Sequence, residues 1–109
     1  MALSMTEIRD PDACTTMVEV RAGVDALDRD LVALLARRFG YMRAAARIKP
    51  ERGMVRDEGR KAQVIANAVA AAERMDVPTP IVATMWEDLV EASIAYEMER
   101  FDAGRANPD

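Results

Sequence analysis

The sequence contains no histidine and a single cysteine, Cys14. Disulfide frameworks, histidine-based catalysis and zinc sites of ordinary composition are therefore excluded, and we expect no metal site. Aromatic residues are also scarce, at 5% of the chain. This scarcity favours closely packed helices over a thick sandwich or barrel, so the composition predicts an all-α fold.

Positive charge is not in excess, because the formal net charge at pH 7 is −4. A general nucleic-acid-binding protein is expected to present a basic face instead. No segment approaches the ~20 apolar residues of a membrane span, and the N-terminal stretch lacks the basic region of a signal peptide. We therefore expect a reduced, cytoplasmic protein that neither binds nucleic acid nor enters a membrane.

The feature that the sequence does have is a long amphipathic segment over residues 16–49. Apolar residues recur there at alternating gaps of three and four, which is the pattern of one helix face. The positions of this face are Met17, Val20, Val24, Leu27, Leu31, Leu34, Arg38, Tyr41, Ala45 and Ile48. Thr15 or Thr16 can cap the helix, and Pro50 predicts its end at Lys49.

Arg38 is unexpected on an apolar face, because a guanidinium group is almost never buried without a partner. The face is therefore expected to meet a buried anion or to open onto a cavity. A helix of this size is also about 50 Å long, whereas a compact chain of this length has a radius of gyration of about 13 Å. One protomer cannot cover such a helix, so we predict a homodimer in which the long first helices pair.

The rest of the chain predicts two further helices. Asp57 can cap the second, with Val64, Ile65, Ala68, Val69, Ala72 and Met75 on its buried face. Thr79-Pro80 is a cap residue followed by proline at the first helical position. It predicts a third helix to about Phe101, which runs through Ile81, Met85, Trp86, Leu89, Val90, Ser93, Ile94 and Glu97. We predict an N-terminal arm over residues 1–15, one helical domain over 16–102 and a disordered tail over 103–109.

Two cations on the first helix are spaced to hold a small anion. Arg38 and Lys49 are eleven residues apart, so they point about 20° from each other and lie about 16 Å apart along the axis. Arg21 lies about 25 Å from Arg38, too far to share a site with it in one chain. In an antiparallel pair of helices, however, Arg21 of one protomer comes alongside the middle of its partner.

Simpler interpretations of these residues exist. Arg21 alone is typical of a solvated helix surface, and Lys49 at a helix C-terminus is favoured by the helix dipole without any ligand. Arg60 on the second helix is ambiguous by itself. Ser93 and Glu97, one turn apart on the third helix, fit either a polar site or a helix edge that water reaches.

Four sequence motifs together carry a resemblance to a known family. They are VRAGVDALDRDLVALLARR, ARIK, VRDEGR and EASIAYE, with cations at Arg21, Arg38, Lys49 and Arg60. In these motifs and their spacing the chain resembles the all-helical chorismate mutases of the AroQ class, from Cys14 to Phe101. The resemblance implies an intertwined dimer that rearranges chorismate, a small dicarboxylate, to prephenate without a cofactor.

The resemblance also implies roles for individual residues. Arg38, Lys49 and Glu97 are expected to be catalytic, while Asp57, Arg60 and Ser93 bind substrate in the same subunit. Arg21 is expected to bind substrate in the neighbouring subunit's site. The reaction is pericyclic, so it needs no nucleophile, and donors aimed at the breaking ether bond are sufficient.

The chain departs from the family pattern at two positions. Lys61 stands where typical mutases have a glutamate that contacts the substrate hydroxyl, and Glu97 stands where bacterial members usually have glutamine. The segments DACTTMVEVR and RRFGYMRAAARIK are also similar to isochorismate-pyruvate lyases, which use the same fold to eliminate pyruvate from isochorismate. Mutase is the leading hypothesis, and lyase is the alternative.

A non-catalytic helical dimerisation module is a third hypothesis from a different class. Such a module is expected to have an apolar stripe without polar interruptions. The interruptions at Arg38, Lys49 and Glu97 therefore favour an enzyme.

Overall fold

The computed structural model describes residues 8–106 as an all-helical chain. Three α-helices follow in order: α1 over Met17–Ile48, α2 over Glu58–Arg74 and α3 over Thr79–Arg105. Short 3-10 turns at Pro11–Ala13 and Arg52–Met54 precede α1 and α2. Within residues 8–106 there is no strand, so the predicted all-α class with a long first helix is confirmed. The chain divides into two compact units between Arg38 and Phe39.

The first unit consists of the arm and the first two thirds of α1, and a reciprocal cap fixes where the helix begins. The Thr16 hydroxyl accepts from the backbone amide of Glu19 at 3.2 Å. The Glu19 carboxylate in turn accepts from the amides of Thr15 at 2.8 Å and Thr16 at 3.1 Å. This is a capping box, and the Thr15 amide is the main cause that lowers the pKa of Glu19. Of the two residues that the sequence offered as caps, Thr15 and Thr16, the helix uses Thr16.

The predicted apolar stripe of α1 is largely uncovered within the chain. In the first unit its exposed members are Met17, Val20, Val24, Leu27, Leu31 and Leu34. A cavity of about 430 Å³ opens beside them, between residues 8–14 of the arm and the first turns of α1. The unit therefore presents a continuous apolar surface that its own residues do not fill.

The second unit has a buried cluster where α3 meets the end of α1 and the turn that precedes α2. Ala46, Val55 and Phe101 are buried together, with Ile94 and Met98 packed against them. Asp57 caps α2 as predicted, accepting from the backbone amide of Arg60 at 3.0 Å. The helix α1 ends at Ile48, one residue before the predicted Lys49, whose own amide still donates to the Ala45 carbonyl at 2.9 Å.

The connection between α2 and α3 turns sharply because α2 ends in a Schellman motif. The Val77 amide donates to the Ala72 carbonyl at 2.8 Å, and the Asp76 amide donates to Glu73 at 3.3 Å. Asp76 has a φ of 59°. That is the left-handed conformation such a motif requires, and aspartate adopts it more readily than most residues with a side chain.

Three predictions about these helices were wrong. Thr79 does not cap α3: Pro78 is the cap residue, because its carbonyl already accepts from the Val82 amide at 3.3 Å. Met75, which the sequence placed on the buried face of the second helix, is exposed. The predicted disordered tail is helical as far as Arg105, and residues 107–109, like residues 1–7 of the predicted arm, lie outside the described range.

Among the described residues, no helix combines the length and the apolar character that crossing a bilayer requires.

Candidate functional site

A lysine and a buried glutamate form the centre of the candidate site. Lys49 follows the last residue of α1, and Glu97 lies on the inner face of α3. The Lys49 Nζ is 2.6 Å from Glu97 Oε2, with 29% and 6% of the respective side chains exposed. This contact lacks the direction of a hydrogen bond, and the buried Oε2 atom has no hydrogen-bond donor among the described residues. Oε2 can therefore still accept a well-directed donor.

Ser93 lies one turn before Glu97 on the same face of α3, and it is also buried. Its hydroxyl donates to the Leu89 carbonyl at 2.7 Å. Because both side chains are buried, the interpretation of this face as a helix edge reached by water is wrong. A buried serine next to a buried glutamate makes this a polar surface inside an otherwise apolar helix contact.

A residue from the predicted tail supports the position of Lys49. The Arg105 guanidinium donates to the Ala46 carbonyl at 2.7 Å and to the Lys49 carbonyl at 2.8 Å. It also lies 3.8 Å from the centre of the Phe101 ring. These bonds satisfy carbonyl groups that the end of α1 leaves without helical partners. The periodicity of the sequence ends before Arg105, so no sequence signal pointed to this contact.

Asp57 and Arg60 have structural contacts in the second unit. The Asp57 carboxylate is used as the cap of α2, and the Arg60 side chain donates to Gln63 at 2.9 Å. Both residues are exposed. Within residues 8–106 no described contact joins either of them to Lys49 or Glu97, and their role in substrate binding stays a prediction.

Arg21 and Arg38 lie on α1 in the first unit. Arg21 is exposed near the start of the helix, while Arg38 is half-buried. Arg38 is engaged in interactions with neighbouring groups. The roles of both arginines as carboxylate ligands stay predictions.

Lys61, one of the two residues at which the sequence departs from the family that it resembles, joins α2 to α3. Its Nζ is 2.8 Å from a Glu87 oxygen and 2.6 Å from a Glu91 oxygen. Arg56 contacts the other Glu91 oxygen at 2.7 Å. Arg56 first and Lys61 second lower the pKa of Glu91 to about 2, and the hydrogen bond that Lys61 donates to Glu87 is the main cause that raises the pKa of Lys61. Lys61 is thus held by carboxylates of α3.

Lys61→Glu is expected to destabilise the protein rather than restore a family feature. The substitution places a third carboxylate beside Glu87 and Glu91, which repel it where they attracted the lysine. The melting temperature should fall further than in Lys61→Ala, which removes the attraction without adding repulsion. A Lys61→Glu protein that melts at or above the temperature of the alanine variant would contradict this arrangement.

Comparisons with known proteins give one family and one relative. The sequence model of the family described as chorismate mutase type II matches residues 20–98. An isochorismate pyruvate lyase of Pseudomonas aeruginosa is 26% identical over 92 residues, which covers 84% of this chain and 91% of the lyase. The family match spans α2 and most of α1 and α3, and it includes Lys49, Ser93 and Glu97.

Proposed function

The chain belongs to the chorismate mutase type II family, and from that premise we propose that it rearranges chorismate to prephenate in a pocket centred on Lys49 and Glu97. The observation that supports this proposal is the buried pair itself. An ammonium group and a buried carboxyl oxygen without a directed donor meet on an otherwise apolar contact. A packed scaffold has no need of such a pair, since replacing buried ion pairs by apolar residues is often neutral or stabilising.

The proposed reaction requires binding and charge stabilisation only. Negative charge grows on the ether oxygen as its bond to the ring carbon breaks, and Lys49 is assigned as the donor to that oxygen. Arg38, and Arg21 of the neighbouring subunit, are assigned to the two carboxylates, because a guanidinium group matches a carboxylate with two parallel bonds. Ser93, Asp57 and Arg60 are assigned as further substrate contacts. Holding the substrate in its compact form supplies the remainder of the rate enhancement.

A lyase acting on isochorismate is the second candidate, and the similarity to the Pseudomonas aeruginosa lyase favours it. Elimination of pyruvate from isochorismate also breaks an ether bond, so Lys49 and the arginines suit both substrates. The deciding experiment incubates the protein with chorismate and isochorismate side by side and measures prephenate, salicylate and pyruvate. If the conversion of chorismate to prephenate is the faster reaction, the result supports the mutase. If salicylate and pyruvate are the main products, the protein is a lyase instead. If neither substrate gives a product, both proposed activities are refuted.

The pair of Lys49 and Glu97 predicts the effect of removing the charge of Glu97. A carboxylate accepts hydrogen bonds but cannot donate one, so a negative charge on Glu97 opposes the charge that grows on the ether oxygen. Glu97→Gln keeps the shape of the side chain and supplies a donor, so it should raise the turnover of chorismate. Steady-state kinetics on the folded variant measures this, and a turnover that Glu97→Gln leaves unchanged would contradict this role.

We also propose that the protein is a homodimer. The uncovered apolar stripe of α1 and the cavity beside it support this, because apolar surface of that extent is rarely left in water. Sedimentation at micromolar concentration should give a dimer, and helix content measured by circular dichroism should fall as dilution dissociates it. A stable, fully helical monomer would rule out this assembly.

A further inference from the structure

A second cavity in the second unit is lined by four arginines. It measures about 300 Å³ and lies between the last turns of α1 and α3. Arg43, Ala46 and Arg47 line it from α1, and Arg100, Ala103, Gly104 and Arg105 line it from α3. Lys49, Ser93 and Glu97 do not line it, so it is distinct from the proposed substrate pocket.

The charge around this cavity is unbalanced. Four arginines line it in a chain whose net charge is −4, and no carboxylate is among its described lining residues. The neighbouring positions of α3 carry Glu99 and Asp102, and the Asp102 carboxylate is paired with Arg52 at 2.8 Å. The four arginines come from two helices that border one space. An anion between them would relieve their mutual repulsion.

Two of the four arginines are held in place by contacts. Arg43 donates to the Tyr96 hydroxyl at 3.0 Å, and the Tyr96 ring packs edge-on against Phe39 at 5.0 Å. Arg105 is fixed by the Ala46 and Lys49 carbonyls and by the Phe101 ring. A ligand that meets these groups loses little free energy in ordering them.

The other two arginines are available to bind. Arg47 and Arg100 make no hydrogen bond or ion pair with any residue between 8 and 106, and both are exposed. The remaining lining positions, Ala46, Ala103 and Gly104, have small side chains or none, which leaves the space open. Two fixed and two adaptable cations thus surround one cavity.

We propose that this cavity binds a small anion of the phosphate monoester class. A phosphate group presents three oxygens in different directions, which suits guanidinium groups that arrive from two helices, whereas a planar carboxylate presents two. The volume of the cavity is at the lower end of the range for small-molecule sites. The bound anion would lie beside Arg105, which holds the end of the helix that precedes Lys49.

The test uses inorganic phosphate as the probe and titration calorimetry at constant ionic strength, with chloride as the reference anion. Wild type should bind phosphate saturably. Arg100→Ala should weaken binding by about tenfold, the scale of one charge-assisted hydrogen bond. Arg47→Ala should weaken phosphate binding to a similar extent. It replaces Arg100→Ala in the test if circular dichroism shows that Arg100→Ala does not fold. The matched control is Arg74→Ala, which removes one exposed arginine at the end of α2 and should leave phosphate affinity unchanged.

A variant of the substrate pocket separates this proposal from the proposed function. Lys49→Ala should bind phosphate as wild type does, whether or not the protein turns over chorismate. The proposal is overturned if wild type shows no saturable binding beyond the chloride reference. It is also overturned if Arg74→Ala weakens binding as much as Arg100→Ala does, because phosphate would then respond to the overall charge of the protein. The same holds if Lys49→Ala weakens binding as much, because phosphate would then occupy the substrate pocket.

Discussion

Lys49→Ala is expected to lower the turnover of chorismate by ~10²-fold or more, the usual cost of removing one donor aimed at a developing charge. Because the ammonium group is assigned to the breaking ether bond, the loss should appear in kcat as well as in kcat/KM. Steady-state kinetics measured as the formation of prephenate gives both quantities.

The controls for this variant follow from the contacts of the pair. Removing Lys49 leaves the Glu97 carboxylate buried without its cation, which can destabilise the protein on its own. The double variant Lys49→Met with Glu97→Gln removes both charges, so it should fold well and remain as inactive as Lys49→Ala. Lys61 is the only other lysine in the sequence, and Lys61→Ala should keep its activity below its melting temperature. Near-normal turnover by folded Lys49→Ala would contradict the assigned role.

Mixing two inactive variants is expected to restore about a quarter of wild-type activity. Arg21→Ala and Arg38→Ala should each be inactive, because each removes one carboxylate ligand from every site. If Arg21 acts in the neighbouring subunit, a mixed dimer has one intact site, formed by Arg38 of one chain and Arg21 of the other. Random exchange makes about half of the dimers mixed, and each has one working site of two.

The result of mixing depends on subunit exchange, which must be measured independently with differently tagged chains. Mixing Arg38→Ala with Lys49→Ala is the matched control. Both of those residues are assigned to the same subunit's site, so this mixture forms a mixed dimer with no intact site. If the mixture of Arg21→Ala and Arg38→Ala recovers no activity although subunits are shown to exchange, a site shared between subunits is excluded.

The sequence predicted the parts of the fold that depend on local signals. The helical period over residues 17–48, Asp57 as a cap and Pro50 as a terminator act within one or two turns, and the structure has all of them. The predicted cap of α3, Thr79, lies one residue after the observed cap, Pro78. Pro80 marks the first helical turn, but it has no amide hydrogen, so its position does not decide which of the preceding residues is the cap.

Contacts between distant residues could not be predicted from local signals. Arg105 ends α3 against carbonyl groups more than fifty positions earlier, so composition alone indicated a tail there. The exposure of Met75 depends on which neighbours cover it, and an apolar pattern cannot show this. For the site, the polar interruptions at Ser93 and Glu97 were visible in the periodicity, while the partner of Glu97 emerged only from the fold.

A crystal structure with a dicarboxylate analogue of the rearrangement transition state tests the central claim most directly. We predict that the ether oxygen of the analogue lies within hydrogen-bond distance of Lys49 Nζ and faces the Glu97 carboxyl group. One carboxylate should meet Arg38, and the other should meet Arg21 of the second protomer. An analogue bound away from Lys49, with the 2.6 Å contact between Lys49 and Glu97 still closed, would contradict the assignment of this pair as the centre of the site.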